Sequence, residues 1–117
     1  LTEMEWLGIS NNHITDITPL ENLKKLQYLH IASNNIRDIS VMRNPTSLET
    51  LQIYSNPIKD ISSLKGLNLV ILDARDSLIN DLGPLGEMKT LKKLQVHKSL
   101  VSQGDADELL KKLKANK

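Results

Sequence analysis

The sequence contains no cysteine and no phenylalanine, and its only aromatic residues are one tryptophan and two tyrosines. Without cysteine the chain can form neither disulfides nor thiolate metal sites. With so few rings, the core has to be built from leucine, isoleucine, valine and methionine. No apolar run reaches the roughly 18 residues of a membrane span, so we expect no membrane insertion. The formal net charge is +1, and no global field therefore favours nucleic acid.

What the chain does contain is an internal repeat. The 117 residues suit one soluble domain. Asp-Ile or Asp-Leu pairs begin at Asp16, Asp38, Asp60 and Asp81, so their spacings are 22, 22 and 21 residues. An apolar ladder follows the same period and gives the pattern L-x-x-L-x-x-L-x-L-x-x-N-x-I-x-D-I-x-x-L. One residue is missing between positions 64 and 69. So many positions agree that chance is excluded, and the period predicts a solenoid of stacked coils.

Each part of the repeat has a physical reason. The alternating L-x-L segment predicts a short strand with one face in the core and the other exposed. The asparagine follows the strand, where its amide can bond the backbone of neighbouring coils. The aspartate suits the start of a short helix or turn, because its carboxylate accepts backbone N–H bonds. A single coil cannot bury its apolar side, but stacked coils share one continuous core.

Two segments carry a resemblance, residues 12–20 (N-H-I-T-D-I-T-P-L) and residues 34–39 (N-N-I-R-D-I). They are similar to the internalin-type leucine-rich repeats of bacterial surface proteins. The resemblance implies an α/β fold: a curved solenoid with short parallel strands on the concave face and 3₁₀ or irregular turns on the convex face. It also implies a protein partner on the concave face and a secreted or cell-surface location, while a cytoplasmic location stays open.

Residues 1–101 are predicted to form about five leucine-rich repeats, the last one partial, and residues 102–117 a C-terminal capping helix. Ser102 and Asp105 resemble a capping box, and an apolar stripe follows at helical spacing. Such a basic amphipathic helix could alternatively touch a membrane or a partner. The first repeat opens at Leu1 without a cap. We therefore expect either that upstream residues have been removed or that this end packs on another copy as a homodimer.

The register also predicts which strand residues are exposed on the concave face. The predicted positions are Trp6, Gly8 and Ser10; Tyr28, His30 and Ala32; Thr50, Gln52 and Tyr54; Ile71, Asp73 and Arg75; Lys93, Gln95 and His97. All three aromatic residues of the chain belong to this set. Tryptophan and tyrosine are enriched at binding hot spots, and exposed rings are costly unless they are used. The partner-binding residues predicted from this pattern are Trp6, Tyr28, His30, Gln52, Tyr54, Asp73, Arg75 and His97.

Two neighbour relationships follow from the register. Trp6 and Tyr28 should be adjacent in the first column of exposed positions, and Arg75 should lie beside Tyr54 as a cation–π pair. The alternative is a purely structural role, in which these rings stack along the ladder and support the sheet. Trp6 could also be covered by an N-terminal cap.

Catalysis is not expected. His30 and Asp73 share a column but are separated by Gln52, so about 10 Å divides them, which is too far for a metal site or a hydrogen-bonded dyad. No phosphate loop, zinc spacing or paired carboxylates occur, and no cofactor is expected. Nucleic-acid binding would need a basic patch with stacking rings. Two other functions stay open: a structural spacer or self-associating fragment, and a subunit of the eukaryotic phosphatase-regulatory type, which has a similar repeat.

Overall fold

The computed structural model describes residues 3–45 and 47–115. Five strands form one parallel sheet in chain order: β1 Trp6–Gly8, β2 Tyr28–His30, β3 Thr50–Gln52, β4 Ile71–Asp73 and β5 Lys93–Gln95. Between them lie 3₁₀ turns at Thr18–Asn22, Ser40–Arg43, Ser62–Leu64 and Gly83–Leu85, and helix α1 spans Gln103–Ala115. The molecule is thus a leucine-rich repeat solenoid, with the strands on its concave face and the 3₁₀ turns on its convex face, as the repeat predicts.

The core contains the apolar residues of the repeat. Leu29, Leu51 and Leu72 pair across the central strands and are fully buried, as are Ile31 and Ile53 after β2 and β3. The first coil is an exception, because Met4, Leu7, Ile9 and Ile14 are only partly buried. Stacked coils cover each other, and the first coil has a neighbour on one side only within the described residues.

The repeated asparagines stitch neighbouring coils together. The Asn34 Oδ1 accepts the backbone N–H of Asn12 and Ile14 in the preceding coil, at 2.9 and 3.0 Å. Its amide nitrogen donates to the carbonyls of residues 9, 31 and 32. Asn56 repeats this arrangement one coil later. Both side chains are buried, so the prediction that asparagine satisfies the polar groups of the turn is confirmed.

The repeated aspartates organise the convex turns. Asp16, Asp38 and Asp60 each accept the backbone N–H two residues on through Oδ1, at 2.8–2.9 Å. These hydrogen bonds favour the ionised form and lower the pKa of all three carboxyls below its ordinary value. Asp81 makes the same bond to Gly83. Gly66, with a φ of +90°, lies in the segment where the fourth repeat is one residue short.

Helix α1 covers the last strand. Its N-terminus is capped as predicted, because the Ser102 hydroxyl accepts the backbone N–H of Asp105 at 3.0 Å. The Gln103 side chain donates to the Leu94 carbonyl and accepts from the Val96 N–H, both at 2.8 Å. It therefore occupies hydrogen-bonding positions that a sixth strand would use at the edge of β5. Residues at the outer ends of the two predicted segments, Leu1 and Lys117, lie outside the described residues.

Candidate functional site

The strand register places the predicted binding residues in columns that run across the sheet. Trp6, Tyr28, Thr50, Ile71 and Lys93 form the first column, from β1 to β5. The second column consists of Gly8, His30, Gln52, Asp73 and Gln95. The ladder continues beyond the strands through backbone hydrogen bonds from residue 33 to 54, 55 to 75 and 76 to 97. A third column therefore carries Tyr54, Arg75 and His97 side by side.

At the β1 end, two rings form a stacked pair. The centroids of Trp6 and Tyr28 lie 5.4 Å apart with an interplanar angle of 12°, which confirms that they are neighbours. The Trp6 side chain is nevertheless 62% exposed. Its ring lies over Gly8, because a Cβ added there would meet the Trp6 Cη2 at 2.8 Å. Glycine at this position thus leaves the space in which the indole lies flat against Tyr28.

Polar contacts link side chains diagonally between coils. The Tyr28 hydroxyl donates to Oε1 of Gln52 at 3.3 Å. The Nε2 atom of His30 and the Tyr54 hydroxyl share a hydrogen bond of 3.2 Å, and their rings lie 5.6 Å apart. All four side chains remain partly exposed. The rings are therefore held in fixed positions while part of their surface faces solvent, which reduces the entropy lost when a ligand binds.

Arg75 lies over Tyr54, with its guanidinium carbon 5.0 Å from the ring centroid, so the predicted cation–π pair is present. The same guanidinium makes a bidentate pair with Asp73, from Nε to Oδ1 at 2.8 Å and from a terminal nitrogen to Oδ2 at 2.7 Å. These hydrogen bonds, together with the charge of Asp73, raise the pKa of Arg75 above its ordinary value.

The structure corrects two exposed positions of the predicted set. Asp73 is only 5% exposed, because its carboxylate is covered by Arg75. It therefore holds Arg75 in place and offers a partner little surface of its own. Residues two apart on a strand share a face, so the sequence places Asp73 and Arg75 within reach of each other but leaves their pairing open. Ala32 is fully buried, because a methyl group is too short to rise above its larger neighbours.

The remaining members of the set lie around this network. His97 is exposed at the β5 end of the third column, and Thr50 and Ile71 are half-exposed in the centre of the first column. Thr50 and Ile71 belong to the exposed set but not to the predicted binding residues. Their place between Tyr28 and Lys93 makes them part of the same continuous surface.

The positions of the histidines and carboxylates bear on catalysis and metal binding. His30 and Asp73 are separated by Gln52 in the register, as the sequence indicates. Across residues 3–45 and 47–115, no group of three or more histidine, aspartate or glutamate side chains gathers where it could hold a metal ion. No helix in that part of the chain is long and apolar enough to cross a membrane. What the concave face does present is a row of partly exposed rings with polar groups beside them.

Comparison with known proteins is consistent with this architecture. The family model of leucine-rich repeats (2 copies) matches residues 2–44. An internalin (inlF) from Listeria monocytogenes is 39% identical over 93% of the chain, with a TM-score of 0.85. An internalin C2 (inlC2) from the same organism is 32% identical over 86%, with a TM-score of 0.84. A leucine-rich repeat protein of Leptospira interrogans is 19% identical over 97%, with a TM-score of 0.74, and shares the fold.

The chain spans 33% of the first internalin, 45% of the second and 36% of the Leptospira protein. No match was found among curated proteins. Taken with the 22-residue repeat and the five-stranded solenoid, these similarities identify the chain as a leucine-rich repeat protein whose repeats are of the internalin type.

Proposed function

We propose that the chain is a protein-recognition module that binds a partner protein on its concave face, as part of a bacterial surface or secreted protein. The observation that carries the proposal is the position of the rings. Trp6, Tyr28 and Tyr54 all lie on the concave face, none belongs to the core, and Trp6 is 62% exposed. The likeness to two Listeria internalins supports the bacterial location and disfavours the phosphatase-regulatory alternative.

The contacts among these side chains also support binding. Stacking of Trp6 on Tyr28, and the placement of Tyr54 between His30 and Arg75, hold the rings without burying them. A partner would then lose less free energy to ordering than on a surface of mobile side chains. If the rings served only to support the sheet, their removal would destabilise the fold and leave binding to other residues.

The test is affinity capture from extracts of the source organism or its host, quantified by mass spectrometry. One bait, the concave variant, carries Trp6→Ala, Tyr28→Ala and Tyr54→Ala. A matched bait, the convex variant, carries Arg37→Ala, Lys59→Ala and Asn80→Ala. These exposed convex positions each precede a turn aspartate. We expect a partner that the convex variant retains and the concave variant loses, with both variants folded by circular dichroism. Equal retention by both baits would contradict the proposal.

A second function, self-association through the first coil, is favoured by a different observation. Leu7, Ile9 and Ile14 are partly buried, whereas their equivalents Leu29 and Ile31 are fully buried one coil later. Within the described residues β1 pairs only with β2. A strand edge beside half-covered apolar residues invites pairing, which a homodimer or a longer stack of coils would provide. Sedimentation equilibrium tests this: Ile9→Glu should abolish a concentration-dependent dimer, and a chain that is monomeric at all concentrations would exclude it.

A further inference from the structure

The fifth coil differs in charge from the coils before it. At the position preceding each strand the chain has Glu5, Gln27, Glu49 and Val70, and then Lys92. Lys93 is exposed at the end of the first column. Lys98 directly follows His97, the last residue of the third column. The chain as a whole is nearly neutral, at +1. Its positive charge is therefore concentrated at one end of the solenoid.

Helix α1 adds two more lysines beside this end and creates a groove. Leu91, Lys92, Leu110, Lys111 and Lys114 line a groove of about 420 Å³ between the fifth coil and α1; we call it the cationic groove. Leu91 is buried and Leu110 half-buried, so apolar surface lies at its base, and the three lysines are exposed at its rim.

Within residues 3–45 and 47–115, no ion pair involves a lysine of the cationic groove. The two ion pairs among the described residues are Lys25 with Glu3 and Arg75 with Asp73, and neither involves the groove. The acidic residues of α1, Asp105, Asp107 and Glu108, occupy the first half of the helix, whereas Lys111 and Lys114 lie in the second. A ligand with negative charge would thus meet three exposed lysines above an apolar floor.

We propose that the cationic groove docks an acidic protein segment that carries an apolar side chain between its carboxylates. The lysines complement the charge of such a segment, and the floor of Leu91 and Leu110 accepts the apolar side chain. A nucleic acid fits less well, because no aromatic residue lines the groove for base stacking. A membrane surface fits less well too, because the leucines of the groove are recessed and the groove lacks the projecting aromatic rings of interfacial helices.

The probe for the test is a fluorescein-labelled pentapeptide with leucine at its centre and glutamate at all the remaining positions. The protein is titrated into the probe at low salt, and binding is followed by fluorescence anisotropy. The groove variant is Lys92→Gln, Lys111→Gln and Lys114→Gln; glutamine avoids adding negative charge near the helix C-terminus. The control variant, Lys24→Gln, Lys59→Gln and Lys65→Gln, changes the net charge equally at exposed positions elsewhere. We expect the groove variant to weaken binding about tenfold, as the sum of three weak exposed ion pairs, and the control less than twofold.

Replacement of the central leucine of the probe by glycine should weaken binding about fivefold, because one apolar side chain no longer covers the floor. The single variant Lys92→Gln, which lies outside α1, keeps the test informative if the triple variant frays the helix. Equal weakening by the control variant, no binding of the pentapeptide, or tighter binding of oligothymidylate or phosphatidylserine vesicles would overturn the proposal. The inference does not rest on the concave rings: Trp6→Ala and Tyr28→Ala should leave probe binding unchanged.

Discussion

The guanidinium of Arg75 lies 5.0 Å from the ring centroid of Tyr54, in the next column position along the sheet. It is fixed there by two hydrogen bonds to the buried carboxylate of Asp73. A charge that is paired and oriented in this way contributes a rigid planar surface beside the ring. The pair therefore connects the stability of the fold with the shape of the concave face.

Arg75→Ala should lower the free energy of unfolding by about 1–2 kcal/mol, because it leaves the Asp73 carboxylate buried without its partner. The value lies below that of a fully buried pair because the Arg75 side chain is 43% exposed and solvent screens it. Urea denaturation measures the loss. Adding Asp73→Asn to the Arg75→Ala background should recover part of it, since a neutral amide costs less to bury. Equal stability of Arg75→Ala and the unaltered chain would show that the Asp73–Arg75 pair contributes nothing to the free energy of unfolding.

Asn34→Ala should cost about 3 kcal/mol of unfolding free energy. The substitution leaves the backbone N–H groups of Asn12 and Ile14 without their acceptor and removes one donor from the carbonyls of residues 9, 31 and 32. The carbonyl of residue 31 keeps the bond from the Asn56 amide, and that of residue 32 keeps the bond from the backbone N–H of residue 11. Asn35→Ala is the matched control, because it removes an exposed side chain of the same type one residue away. We expect it to change stability by less than about 0.5 kcal/mol. Similar losses for the two variants would refute the role of the buried asparagine.

Backbone strain recurs after the strands at residues that are not glycine. Ser33, Ser55, Asp76 and Lys98 all have φ between 52° and 61°, a region that costs non-glycine residues about 1–2 kcal/mol. Lys98→Gly should therefore stabilise the chain by about 0.5–1 kcal/mol, the gain being reduced by the greater entropy of glycine in the unfolded state. Thermal unfolding measures it. Lys93→Gly within β5 is the control and should destabilise; a loss of stability in both variants would argue against stored strain.

Acid should weaken the convex turns. The pKa of Asp16, Asp38 and Asp60 is lowered in the folded chain by hydrogen bonds from the backbone. Between that lowered pKa and the ordinary value of 3.8 the unfolded chain binds more protons, so this stabilisation is complete above pH 3.8 and is lost as the pH falls through the folded pKa. Replacing all three by asparagine, which also forms such turns, should flatten the fall in melting temperature below that pH.

The matched control for the acid experiment replaces Glu21, Glu87 and Glu108 by glutamine. These side chains are exposed and accept none of the hydrogen bonds that shape the convex turns. The control should retain the acid sensitivity of the unaltered chain. If the asparagine variant and the control lose stability in parallel, the turn carboxylates are not its source.

Periodicity accounts for most of what the sequence could predict. Because strand residues alternate between faces and coils repeat every 22 residues, the adjacency of Trp6 and Tyr28 and the position of Arg75 beside Tyr54 follow from counting alone. The burial of Asp73 does not follow from counting, because it depends on which way the Arg75 side chain bends. A column position predicts the face on which a residue lies but leaves its rotamer open.

The ends of the solenoid were harder to predict, because they break the repeat. The spacing assigns Gln103 only to the start of a helix, yet its side-chain amide forms hydrogen bonds with the edge of β5. Nothing in the spacing of the lysines at 89, 92, 93 and 98 distinguishes them from ordinary solvated positions. Lys111 and Lys114 join Lys92 only through the packing of α1 on the fifth coil. Such contacts are made by a segment that does not follow the 22-residue repeat, so the spacing of the repeat cannot predict them.

The most direct test of concave binding is site-specific photo-crosslinking to the partner found by affinity capture. Benzoylphenylalanine is placed at Thr50, which is half-exposed in the centre of the first column, and at Arg37, which is exposed next to a convex turn. If the concave face binds the partner, irradiation will give the adduct from position 50 and none from position 37. An adduct from position 37 alone, or from both positions equally, would contradict the account.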